Sequence, residues 1–291
     1  MHQPRPERVA MPESLRAAAE QFASGERAPV PPRDAATVVL LRNAGGQDDG
    51  TPGRSNRPGT EVYLLRRHAR MAFAPGMAVF PGGGVDDRDR EAWSVAAAWA
   101  GPSQSSWARQ LGCDVPTARG LVCAAVRETF EESGVLLAGA APDALVADTT
   151  GADWEADREA LVAKQVSLAE VLSRRGLVLR SDLMRAWAQW ITPDFEPRRY
   201  DTRFFVAVLP EGQRTRDVST ESDAVAWMRP GAAVDAVDAG DLAMMPPTVR
   251  TCQELAGLER ATDVLAAAER RRVVPIEPRL VVDGDRVWLQ P

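Results

Sequence analysis

Short runs of apolar residues alternate along the chain with stretches whose apolar positions recur at helical spacing. Ala36–Leu41 (ATVVLL) and Glu61–Leu65 (EVYLL) are rich in branched aliphatic residues and read as strands. Between them, residues 44–60 are rich in Gly, Asp, Ser and Pro, which predicts a long hairpin loop. Ala78–Phe80 is a strand stub running into Pro81-Gly82-Gly83-Gly84, where the glycines predict a tight turn. Further strands are expected at Thr202–Leu209 and Ala224–Met228. The chain closes on Arg279–Leu289, whose Asp283-Gly284 pair predicts a hairpin.

Helical spacing appears first at Met11–Phe22, with Glu13 and Ser14 in the first turn and Gly25 beyond the end. A Pro-rich link follows. A second helix is expected over Thr117–Ser133, with Thr117 as its N-cap and Gly134 just past its end. Trp154–Trp190 is rich in Ala, Leu, Glu and Arg and reads as helical, broken near Gly176. Helices are also expected near Gly231–Val237 and over Thr248–Arg271. Interleaved strands and helices place the chain in the α/β or α+β layered classes.

Composition removes several function classes. A formal charge of −6 argues against a broad nucleic-acid-binding face, which needs clustered Lys and Arg. Only two histidines occur, His2 and His68, so a Ser-His-Asp or His-metal mechanism has little raw material. Cys113, Cys123 and Cys252 have no metal-site spacing, and an odd count fits a reducing compartment. No apolar run is long enough for a membrane span, and neither a secretory h-region nor a peroxisomal ending is seen. A cytoplasmic protein is expected, with a site built from carboxylates.

The Thr117–Ser133 helix offers such a site. At 100° per residue Val122, Val126 and Phe130 share one face, the expected core stripe. Glu128, Glu131 and Glu132 lie on the opposite face at spacings where like charges repel by roughly 0.2–0.5 kcal/mol per pair. They also sit near the helix C-terminus, where the dipole disfavours anions. A solvated acidic face is the plain alternative. A divalent cation would remove both penalties, and clustered carboxylate oxygens suit Mg²⁺ or Mn²⁺.

Pro81-Gly82-Gly83 upstream and Arg127-Glu128-Thr129-Phe130-Glu131-Glu132-Ser133-Gly134 together resemble the signature box of the Nudix hydrolases. That pattern is Gly-x5-Glu-x7-Arg-Glu-U-x-Glu-Glu-x-Gly-U, with U apolar. Arg127, Glu128, Glu131, Glu132, Gly134 and Val135 match, and Thr129 stands at the first U. A chance match of the five fixed positions is on the order of one in a few thousand for a chain of this length. Asp89 stands where the pattern has Glu, and residues 90–126 separate it from Arg127, an insertion of about 30 residues. In the family that position is more supportive than essential, and the insertion leaves the role of Asp89 open. Tyr63–Arg67, Ala74–Gly83, Trp190–Pro193, Arg198–Phe205, Trp227 and Pro246–Thr248 are similar to the branch that includes the coenzyme A diphosphatases. The resemblance covers roughly Ala36–Gly257.

What the resemblance implies is an α/β/α sandwich with a mixed sheet, plus helical extensions at both ends. The expected organisation is a terminal extension and linker at 1–33, a Nudix domain at 34–248 with its insertion near 90–116, and a C-terminal helix and hairpin at 249–291 packed on the same domain. Glu131 and Glu132 would be metal ligands, assisted by the Gly82 carbonyl, and Glu128 a further ligand or the base. Catalytic roles fall to Glu128, Arg127 and Glu131, with Arg127 orienting a glutamate. Glu221 and Asp223 are other candidates for the base. Arg67, Gly83 and Arg203 are expected to meet substrate, while Arg198 and Arg199 are read equally well as solvated. Packing is favoured over ligand stacking for Trp93, Trp99 and Trp107 of the insertion, and Cys123 reads as core filler.

The implied activity is metal-dependent cleavage of a diphosphate bond in a nucleotide-type small molecule, coenzyme A or acyl-coenzyme A first. ADP-ribose, NADH or dinucleoside polyphosphates are the alternative substrates, and a non-catalytic ligand-sensing module the alternative class. A homodimer is the family-level expectation.

Overall fold

A computed structural model describes residues 9–10, 19, 21–22, 24–25, 28–45, 59–70, 74–91, 98–141, 143–219, 221–283 and 286–290. Its strands are β1 (Val9–Ala10), β2 (Arg33–Asn43), β3 (Thr60–Arg67), β4 (Ala78–Val79), β5 (Gly82–Gly84), β6 (Ala98–Ala100), β7 (Ala138–Ala141) and β8 (Ala144–Leu145). They continue as β9 (Val178–Arg180), β10 (Met184–Ile191), β11 (Tyr200–Val208), β12 (Ser222–Met228), β13 (Pro275–Ile276), β14 (Arg279–Asp283) and β15 (Arg286–Gln290). The helices are α1 (Asp87–Glu91), α2 (Gln104–Leu111), α3 (Val115–Ser133) and α4 (Ala152–Val162). After them come α5 (Leu168–Arg174), α6 (Pro230–Asp238), α7 (Pro246–Leu255) and α8 (Ala261–Glu269).

The apolar run in β2 is continuous because both faces of that strand are buried. Val38 and Leu40 meet Tyr63, Leu65 and Phe205 beneath α3 on one face. Val39 and Leu41 meet Val62, Leu64, Phe204 and Val206 under α7 and α8 on the other. Each fully buried aliphatic or aromatic side chain contributes roughly 1.5–3 kcal/mol, so both helical layers hold the sheet. The main sheet runs β12-β3-β2-β11-β10-β13, with β4 beside β3 and β5 beside β2. It is mixed, since β2 and β11 are parallel while β2 and β3 are antiparallel. The result is an α/β/α sandwich.

Several expectations need correction. Trp154–Trp190 is not helical throughout: after α4 and α5 the chain forms β9 and β10. Its Ala and Arg content suggested helix, but β10 pairs with β11 and is buried on both faces, with a register shift between Ala186 and Ala188. Met184 and Ala186 lie in the core under α3, and Trp187, Ala188 and Trp190 in the core under α7 and α8. Thr248–Arg271 divides into α7 and α8, with Gly257 in the break. The cap of α3 is Asp114, whose Oδ1 accepts the Thr117 N–H at 2.7 Å, and not Thr117. The helix is also buried nearly all round instead of along one stripe. Gly82–Gly84 is no turn; it is a strand paired with Ala35–Thr37. Glycine is needed at Gly82 because a Cβ would stand 2.5 Å from Thr37 Oγ1.

The insertion supplies β6 and α2. β6 joins a four-stranded sheet, β6-β9-β7-β8, and Trp107 of α2 is buried against Phe205 with ring centroids 5.7 Å apart. Packing thus accounts for Trp107, while Trp99 Nε1 donates to the Pro102 carbonyl. Trp93 lies outside the described residues, as does most of the Met11–Phe22 helix. The C-terminal hairpin forms as expected from β14 and β15, with β1 on its edge. Among the described residues no helix is long and apolar enough to cross a membrane.

Candidate active site

Helix α3 ends where Gly134 takes a left-handed conformation (φ 73°) and its N–H returns to the Phe130 carbonyl. That stop places Glu128, Glu131 and Glu132 in the last turns, beneath β5. The Gly82 N–H donates to Glu132 Oε2 at 2.9 Å. At Gly83 any Cβ would collide with the Glu128 carboxylate. Glycine stands at position 83 because backbone and carboxylate touch there.

Arg127 ties the cluster together. Its Nη1 donates to Glu128 Oε1 at 2.7 Å and to Glu131 Oε1 at 3.3 Å, and its Nη2 to the Gly84 carbonyl at 3.0 Å. The same guanidinium reaches Asp89, Nε to Oδ1 at 3.0 Å and Nη2 to Oδ2 at 2.8 Å. Asp89 is only 3% exposed and also accepts from the buried Cys123 thiol. It therefore has a place beside the cluster, the role that the insertion had left open. The signal was present in the chain, an acid at the box position after Gly83; the insertion obscured it.

The electrostatics are those of crowded, dry carboxylates. Burial raises Glu131 to about 7, with Arg127 opposing and Glu128 adding to the rise. Glu132 is raised well above the usual carboxylate range, first by burial and then by Glu128, with the Gly82 N–H opposing. Glu128 is raised by burial against the pull of Arg127. Burial works against the Arg127 charge, but Glu128, Asp89 and Glu131 outweigh it and its pKa rises.

The remaining candidates separate. Arg67, at the end of β3, pairs with Glu221 at 3.1 Å, and both act on Glu132 through space. Asp223 instead pairs with the exposed Arg66 at 2.6 Å. Arg203 is 5% exposed on β11 and pairs with Asp201 on its own strand. Arg199 is likewise buried, donating to the Thr192 and Val30 carbonyls and to Glu277, so the solvated reading is wrong for it. Arg198 is exposed. Cys123 is buried core, as expected.

The model of the NUDT19 Nudix domain matches residues 32–255, most of the chain. The chain belongs to this Nudix family. The acyl-coenzyme A diphosphatase NUDT19 of Gallus gallus is 28% identical over 257 residues, covering 74% of this chain and 65% of the relative. That of Homo sapiens is 26% identical over 267 residues, covering 80% and 70%. Putative nudix hydrolase 7 of Caenorhabditis elegans is 29% identical over 207 residues, covering 69% and 57%. The chain thus spans about three fifths to two thirds of the first relatives' length. The crystal structure of a NUDIX hydrolase from Alicyclobacillus acidocaldarius superposes with a TM-score of 0.64 at 26% identity, covering 81% of this chain and 96% of that one.

The donor set suits a hard divalent cation: three nearly buried carboxylates whose charges are costly until neutralised. Among the described residues, however, no three such side chains close into a ready-made metal cage. Arg127 holds Glu128 and Glu131, and the Gly82 amide holds Glu132. Arg127 is the internal counter-ion with which a metal would share the carboxylates.

Proposed function

We propose that this Nudix chain is a divalent-metal-dependent hydrolase that cleaves the diphosphate bond of a nucleoside diphosphate derivative, with coenzyme A or acyl-coenzyme A as its first substrate class. The observation that carries the reading is the cluster of Glu128, Glu131 and Glu132 at the end of α3, the first two held by Arg127 and Glu132 held by the Gly82 N–H of β5. The substrate class is supported by the names of the chicken and human relatives.

In this reading Glu131 and Glu132 hold the cation, with Glu128 and Gly82 beside them. A bound Mg²⁺ or Mn²⁺ would neutralise charge on the diphosphate oxygens and lower the pKa of a water. Arg127 orients Glu128 and Glu131 by charge-assisted hydrogen bonds. Glu128 or Glu221 takes the proton from the attacking water, and Glu221 is preferred to Asp223 because it faces Arg67 and the cluster. Arg67 meets the acidic substrate, with Gly83 leaving backbone exposed toward it.

A substrate panel tests this, with Mg²⁺ and Mn²⁺ and products read by mass. Release of 4′-phosphopantetheine from coenzyme A is expected. Turnover of ADP-ribose or dinucleoside polyphosphates alone would move the substrate class, and no turnover of any member would overturn the reading.

A further inference from the structure

The last turn of α3 is tied to α4 by a chain of charges containing no box side chain. Arg158 of α4, 5% exposed, donates from Nη1 to the Glu131 carbonyl at 2.9 Å. Its Nε and Nη2 donate to Glu155 Oε1 at 3.0 and 2.5 Å. The other oxygen of Glu155 accepts from Arg216 Nη1 at 2.7 Å. The backbone N–H of Arg216 donates to the Ser133 carbonyl at 2.9 Å. The Arg216 guanidinium lies against Gly134, where an added Cβ would come within 2.7 Å of Nε. Trp154 of α4 meets Phe130 edge-on, ring centroids 6.1 Å apart.

The final carbonyls of a helix have no partner within it, so last turns fray unless something holds them. This last turn carries Glu131 and Glu132. Two guanidiniums also sit at the helix end where the dipole favours cations. A buried arginine is not needed merely to pair with Glu155, which a surface residue could do. What burial adds is a planar fork in fixed register, one side on the carboxylate and one on the helix.

We propose that Arg158, Glu155 and Arg216 form a positioning clamp that sets the angle at which Glu131 and Glu132 are presented to a divalent cation. The proposal rests on the metal-site reading above. These are positioning residues, acting through the backbone of α3. Their loss weakens cation binding in the way lost outer-shell partners do, by about 10–100-fold.

The test measures Mn²⁺ binding by calorimetry and amide hydrogen exchange at Glu131–Gly134 in the cation-free protein. The variants are Arg158→Met, Arg158→Lys and Glu155→Gln. Arg175→Met serves as control, since Arg175 pairs with Asp153 and Asp157 on the same helix and stacks on Trp154. Expected are Mn²⁺ affinity at least tenfold weaker in Arg158→Met, faster exchange confined to the last turn, partial rescue in Arg158→Lys, and no change in the control. Glu155→Gln gives the same readout with Arg158 retained, should Arg158→Met fail to fold. Wild-type affinity and exchange in Arg158→Met and Glu155→Gln, alongside normal Mn²⁺ uptake by the parent, overturn the clamp alone. A parent that takes up no Mn²⁺ overturns the metal reading and the clamp with it.

Discussion

Asp89 and Arg127 face each other over three contacts, at 3.0, 3.3 and 2.8 Å, although an insertion carrying β6 and α2 lies between them in the chain. Asp89 is buried, and Arg127 extends from it to Glu128, Glu131 and the Gly84 carbonyl. The insertion therefore leaves the box closed: α1 turns Asp89 back onto α3 before the added chain departs. Its strand joins a separate sheet, and Trp107 anchors it on the core.

Replacing Asp89 by Ala removes the anchor of a nearly buried guanidinium. A broken buried pair costs on the order of 3 kcal/mol, and the freed Arg127 no longer fixes the glutamates. The expected outcome is a lower melting temperature and turnover reduced by about 10–100-fold. Asp89→Glu, which restores the residue type of the family pattern, should recover most of both. Melting curves and steady-state rates check this; wild-type values in Asp89→Ala would remove Asp89 from the site.

Adjacent glycines give an internal control. A Cβ at Gly83 would displace the Glu128 carboxylate, whereas one at Gly84 meets nothing within 4 Å. Gly83→Ala should lower turnover at least tenfold, by the general cost of moving a group from its productive position. Gly84→Ala should leave it near the parent value. Equal rates in the two variants would show that Glu128 needs no contact with β5.

Legibility in the sequence followed the range of the interactions. The core strands and α3 were readable because apolar periodicity and a left-handed glycine are local signals. β10 was not, since Ala and Arg favour helix and only pairing with β11 makes that segment a strand. The glutamates were legible from helical spacing, and the box resemblance joined them to Gly82 and Gly83. Asp89 was legible at the position of the pattern's Glu, and only the chain distance to Arg127 left its role open. Arg158 and Glu155 carried no signal, because a clamp on a main-chain carbonyl leaves no pattern in the chain.

Two acids before Trp227 were equal candidates for a base, and their partners now distinguish them. Glu221 pairs with Arg67 and acts on Glu128 and Glu132, while Asp223 pairs with exposed Arg66. Glu221→Gln should reduce kcat by about 10²-fold or more if it is the base, the usual range for general acid–base groups. Asp223→Asn should change kcat less than twofold. A large loss in Asp223→Asn with none in Glu221→Gln would reverse the assignment.

Glu131→Gln and Glu132→Gln are each expected to abolish Mg²⁺-dependent hydrolysis while the fold persists. The cation-free proteins should even melt higher than the parent at pH 8, because each variant removes a buried charge. The amide introduced by Glu132→Gln can still accept the Gly82 N–H through its oxygen. Circular dichroism melts and product assays check both halves. Parent-level turnover in both variants would refute the site.

Glu131 also sets a pH dependence whose sign can be worked out. Its carboxyl is raised from 4.5 to about 7 in the folded protein, by burial first, so the folded state holds a proton that the unfolded chain has released. Below pH 4.5 both states are protonated and the group costs nothing. As pH rises from about 4.5 to about 7 the stability falls, by up to about 3 kcal/mol for a shift of this size. Above pH 7 the penalty is constant. A divalent cation binds the ionised form, so Mn²⁺ should raise the melting temperature more at pH 8 than at pH 5.5. Urea unfolding of the cation-free protein at pH 5 and pH 8, compared with Glu131→Gln, isolates this contribution. The parent should lose more stability between the two values than the variant, and an equal loss would mean that Glu131 ionises in the fold as readily as in the open chain.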